Sequence, residues 1–98
     1  MKKYFIVSLC KEGVLGGGML LDSEKATYKT GKVTVSEKYR NLEMRYEEMA
    51  EMVPGHMLFW PTVTIKMKNS EEYKFIVFAR AKLLVALAQK GVTLREEM

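Results

Sequence analysis

The sequence predicts a mainly β domain with one C-terminal helix: an antiparallel two-sheet barrel or sandwich of about seven short strands, capped by a helix over residues 80–90. Three observations carry this. Residues 61–78 hold two runs in which apolar and polar residues alternate, with Asn69-Ser70 between them. Residues 79–90 hold the one sustained helix-forming run. The remainder is a series of short aromatic, aliphatic or β-branched runs separated by turn residues. Ninety-eight residues make one domain, 1–98, with a core over 3–91 and a charged tail over 92–98 that is expected to fray.

Residues 3–9 read as the first strand, aromatic and β-branched. The opening Met1-Lys2-Lys3 followed by an apolar run imitates a leader peptide. The run stops at Lys11-Glu12 without a small-residue cleavage site, so a strand is expected there instead. Four glycines within 13–18 read as a flexible connection. Residues 18–22 and 26–30 then form a hairpin around the polar turn Asp22-Ser23-Glu24-Lys25. Residues 31–38 are polar and read as a loop, with 32–36 as a possible short edge strand.

The segment 42–53 fits two patterns. Leu42, Met44 and Tyr46 alternate as in a strand, whereas Leu42, Tyr46, Met49, Ala50 and Val53 fall at helical spacing. Pro54-Gly55 reads as a turn, and 56–61 as a hydrophobic connection.

In the 61–78 hairpin, Val63, Ile65 and Met67 must share a face with Tyr73, Phe75 and Val77. A slip of one residue would turn an apolar row into water, so the loop has an odd length. A three-residue loop over 69–71 pairs Met67 with Tyr73, Ile65 with Phe75 and Val63 with Val77. Ile76 and Phe78 break the alternation and imply a strand end covered on both faces. The helix turns Leu84 and Leu87 inward as a lid, each contributing about 2–3 kcal/mol on burial, and Gly91 supplies the C-terminal cap.

Four stretches resemble the pleckstrin-homology-like superfold, in particular its GRAM-type and bacterial members. These are the hairpin from Gly18 to Tyr28, the segment Leu42-Glu43-Met44-Arg45-Tyr46-Glu47-Glu48-Met49, the hairpin from Thr62 to Phe78, and the helix over 80–90. The resemblance covers about residues 17 to 91. It favours strand, a kink near Glu47-Glu48, then strand in the ambiguous segment. It also implies a binding platform for phosphoinositides, peptides or proteins. Lipid-binding members carry basic residues on the first hairpin, where this chain has only Lys11 beside Glu12.

Composition narrows the function classes. One His, one Asp and one Cys give no triad, no nucleophile elbow and no metal-ligand spacing. The chain is therefore read as non-catalytic, with no cofactor and no metal. The lone Cys10 points to a reduced, cytoplasmic setting. A net charge of +4 is spread from Lys2 to Arg95, without the concentrated face of a nucleic-acid binder.

Two surfaces remain. Met57, Leu58, Phe59 and Trp60 lie between two prolines and are hard to hide in a small domain; they form a candidate interface with a protein partner or a second copy. Lys25, Lys29, Lys32, Lys38 and Arg40 form the densest basic stretch, a candidate patch for anionic lipid. Met44, Met49, Met52, Met57 and Met67 either extend an adaptable surface or fill the core. The expected function is a protein-interaction or self-assembly module, with peripheral binding to anionic membranes as the alternative.

Overall fold

A computed structural model describes residues 3–11, 13–31 and 37–95. The strands are β1 (Lys3–Cys10), β2 (Val14–Leu21), β3 (Lys25–Lys29), β4 (Asn41–Arg45), β5 (Met49–Met57), β6 (Trp60–Met67) and β7 (Glu72–Ile76). A four-residue helix, α1 (Glu37–Arg40), precedes β4, and α2 (Arg80–Gln89) follows β7. All seven strands pair antiparallel in one sheet, ordered β4-β3-β2-β1-β7-β6-β5 and curled into a half-barrel. The expected mainly β architecture with a terminal helix is present. Its two layers are the two halves of that single sheet.

Alternation builds the core. Phe5, Val7 and Leu9 of β1 point inward, as do Val63, Ile65 and Met67 of β6. The rings of Tyr28 and Phe75, from opposite halves of the sheet, meet at 5.5 Å between centroids, tilted by 55°. The buried Tyr28 hydroxyl donates to the Leu15 carbonyl at 2.5 Å, which satisfies its polar end.

Residues 14–18 belong to β2, not to a flexible connection. The glycines serve close approach. A Cβ on Gly18 would overlap the Tyr4 ring, and one on Gly17 would overlap the Lys29 carbonyl. Glycine inside a strand marks such contacts as readily as it marks a turn. Pro54-Gly55 likewise lies within β5. This strand ends the sheet, where proline's missing N–H removes no ladder bond.

The segment 41–57 is strand, kink, strand, with a 3-10 turn over Tyr46–Glu48 as the kink. That turn joins the two outermost strands of the sheet and is tied on both sides. The Tyr46 amide donates to the Glu24 carbonyl, and the Lys68 amide to the Glu48 carbonyl at 2.8 Å.

The β6–β7 hairpin keeps the expected facing but slides by two residues. Ile65 pairs with Tyr73 and Val63 with Phe75. The loop is three residues, Lys68-Asn69-Ser70, because the Met67 amide bonds the Glu71 carbonyl and the Ser70 amide bonds the Met67 carbonyl. Ser70 takes the left-handed position at φ 77° that such loops require, so no glycine was there to mark it.

α2 buries Leu83, Ala86 and Leu87, with Leu84 only partly buried against the core, so the lid face is rotated from the expected one. Gly91 at φ 91° ends the helix in a Schellman motif. Its amide bonds the Ala88 carbonyl, and the Val92 amide bonds the Leu87 carbonyl. The next residues do not fray. Val92 is buried, and the Met52 amide and carbonyl bond Thr93 and Arg95. The C-terminal segment thereby covers part of the β5 edge. Residues 96–98 of the expected tail, and the possible strand at 32–36, lie outside the described residues.

Candidate functional site

The run Met57–Trp60 forms the tip of the β5–β6 hairpin. Met57 pairs with Trp60, leaving Leu58 and Phe59 as a two-residue loop. Leu58 sits at φ 58°. Two-residue hairpin loops need a positive φ to match strand twist, and glycine or asparagine normally supplies it. A branched leucine there costs about 1–2 kcal/mol of backbone strain. Nothing among the described residues covers the result: Leu58 is 85% exposed and Phe59 94%. Trp60 is 43% exposed, and Met57 is half-buried.

The base of this tip is held firmly. The Val77 amide donates to the Pro61 carbonyl at 3.0 Å, and the Arg80 guanidinium donates to the Gly55 carbonyl at 2.6 Å. The Val77–Pro61 bond continues the β6–β7 register and sets Phe78 beside Trp60. Phe78 is 73% exposed, not covered on both faces as its sequence pattern implied; Ile76 is the buried member of that pair. Leu58, Phe59, Trp60 and Phe78 are thus the exposed large apolar residues at the tip and next to its base. Sequence reasoning missed Phe78 because it stands past the end of β7, at the entry to α2, where alternation no longer reports facing.

The other methionines do not extend this surface. Met44, Met49, Met52 and Met67 are all buried in the core.

The basic stretch is dispersed by its own partners. Lys25 reaches Glu43 at 3.2 Å and Lys38 reaches Glu71 at 2.8 Å. The Lys38 ammonium also lies over the rings of Tyr39 and Tyr73, at 5.7 and 5.8 Å. The Tyr73 hydroxyl donates to the same Glu71 carboxylate. Hydrogen bonds from Lys38 and Tyr73 hold the Glu71 carboxyl below its usual range, and the Glu71 bond raises the Lys38 ammonium. Burial, reinforced by that carboxylate, pushes the Tyr73 hydroxyl up to about 12. Arg40 is half-buried, and its Nε finds no hydrogen-bond partner among the described residues. Lys29 is exposed and lines a groove of about 370 Å³ on the outer face of β1–β4, with Tyr4, Gly18 and Glu43 among its neighbours. Lys32 lies outside the described residues.

Of the scarce reactive side chains, Asp22 serves a turn. Asp22 Oδ1 accepts from the amides of Glu24 and Lys25, closing the β2–β3 turn. Burial pushes the half-buried Cys10 thiol above its ordinary value, against the pull of Lys74. Among the described residues no three His, Cys, Asp or Glu side chains gather as a metal site, and no helix is long and apolar enough to cross a membrane.

No protein-family model matches the sequence, and no curated protein matches it. The fold has a counterpart among solved structures. It is similar to the C-terminal domain of an unknown protein from Leishmania infantum, with a TM-score of 0.75 over 90% of this chain and 80% of that one. At 9% sequence identity the likeness is one of fold alone.

Proposed function

We propose that the domain is a non-catalytic protein-interaction module, with a pleckstrin-homology-like scaffold that presents the β5–β6 tip to a partner chain or a second copy. The observation that carries this reading is the pairing of strain with exposure. Leu58 holds a left-handed backbone conformation to project its side chain, and Phe59 beside it is almost fully solvated. Both features cost the isolated domain free energy, and strained, exposed positions of this kind gather at sites of contact. Large aromatic side chains such as Phe59, Trp60 and Phe78 are the usual anchors of protein interfaces. Peripheral binding to anionic lipid is the weaker reading, because Lys25 and Lys38 already hold Glu43 and Glu71.

The test is photo-crosslinking in the chain's native cells, with a benzophenone amino acid in place of Phe59. Discrete protein adducts, to a second copy or to another chain, are expected from position 59 and not from a control probe at Ser70. Lipid adducts alone, or no adduct from position 59, would overturn the reading.

A further inference from the structure

The two halves of the sheet part company along β1. This strand pairs with β2 from Lys3 through Cys10, but with β7 only at Ser8 and Leu9. Over Lys3–Val7 its far edge pairs with no strand among the described residues. The chain has left the sheet there, since β7 ends at Ile76 and α2 starts at Arg80. Between the open edge and the helix runs a groove of about 580 Å³, lined by Lys3, Tyr4, Phe5, Ala81, Lys82 and Val85.

The lining fixes the groove's orientation. Successive strand residues point to opposite faces. A groove bordered by Lys3, Tyr4 and Phe5 together therefore follows the edge of the strand and crosses neither face. Its walls are apolar, and its two charged members, Lys3 and Lys82, are both cationic; no carboxylate among the described residues lines it. α2 itself, RAKLLVALAQ, carries no acidic residue.

We propose that this groove receives an extended acidic peptide, which adds as a strand to the open edge of β1. An unpaired edge presents N–H and C=O groups ready for main-chain hydrogen bonds. The part of the unpaired edge that borders the groove, Lys3–Phe5, spans about 10 Å at 3.4 Å per residue, enough for three residues of peptide. Apolar side chains of the guest pack on Val85, exposed in the free chain. Acidic side chains meet Lys3 and Lys82, and that charge match selects the guest. A second copy of β1 is a poor guest, because KYFIVSLC contains no acid to meet Lys3 and Lys82. The groove and the β5–β6 tip are separate surfaces, so this inference does not rest on the reading of the tip.

The experiment is an NMR titration of the isotope-labelled chain with a capped seven-residue peptide alternating valine and glutamate. Saturable shifts are expected at the amides of Lys3–Val7 and the first turns of α2. Lys82→Glu, at an exposed helix position, should weaken the peptide about tenfold and improve binding of the matching valine–lysine peptide. Methylating alternate backbone nitrogens of the peptide should abolish binding, and Phe59→Ser should leave it unchanged. Shifts confined to other residues, full binding by the N-methylated peptide, or an unaltered preference in Lys82→Glu would overturn the proposal. The same amides responding to anionic vesicles and not to the peptide would also overturn it.

Discussion

The two hairpins of the second half-sheet meet the same backbone demand in opposite ways. The β6–β7 loop and the β5–β6 loop each place a non-glycine residue in the left-handed region, Ser70 at φ 77° and Leu58 at φ 58°. At the first, the surroundings serve the fold. Asn69 Oδ1 accepts the Glu71 amide at 3.0 Å, and Glu71 binds Lys38 and Tyr73. This gathers the turn, α1 and β7 into one polar knot. At the second, the strained residue projects an apolar side chain into water, with another beside it. A polar turn that satisfies itself is explained by folding. An apolar turn that satisfies nothing within the domain is explained by what lies outside it.

This comparison can be broken or sharpened by substitution. The largest effect belongs to the knot's anchor. Tyr73 is buried, so Tyr73→Ala should cost about 3 kcal/mol in chemical denaturation, whereas Phe59→Ala should change stability by less than about 0.5 kcal/mol. Similar losses at the two positions would erase the distinction.

Alkaline pH probes the same side of the comparison. Burial raises both Tyr46 and Tyr73 to about 12, from an ordinary value of 10. A hydroxyl whose folded value is raised contributes stability fully below its unfolded value and loses it as pH climbs through the folded one. The denaturation midpoint should therefore hold steady up to about pH 10 and fall between 10 and 12. Tyr73→Phe should flatten that fall, and an equal fall in the variant would contradict the assignment.

Smaller effects complete the series. Ser70→Gly should stabilise by about 0.5–1 kcal/mol, as the left-handed position loses its Cβ clash while the unfolded chain gains freedom. Lys38→Ala should cost least of all, because the Lys38–Glu71 pair is exposed to solvent. That loss should shrink in high salt; a loss unchanged by salt would point to ring contacts as the cause.

Much of the fold was legible because burial enforces period two. The facing of Val63, Ile65, Tyr73 and Phe75 could be read without coordinates, since the opposite parity would hydrate a whole row. Register along that parity could not be read, because it hangs on Ser70 accepting a conformation usually marked by glycine. Glycine and proline misled for the same reason in reverse. Gly16–Gly18 and Pro54-Gly55 look like turns, yet one run makes room for the Tyr4 ring and the Lys29 carbonyl, and the other occupies a sheet edge. Of the candidate surface, the run 57–60 was visible as too many large apolar residues in one place. Phe78 and the β1–α2 groove were not, because each depends on elements brought together from distant parts of the chain.

The most direct measurement is the denaturation midpoint of the double variant Leu58→Gly, Phe59→Ser. If the tip owes nothing to the fold, removing its strain and its apolar side chains should leave the midpoint equal to or above that of the parent chain. A drop of about 2 kcal/mol or more, the size of a lost core side chain, would show that these residues pack within the domain and would contradict the account.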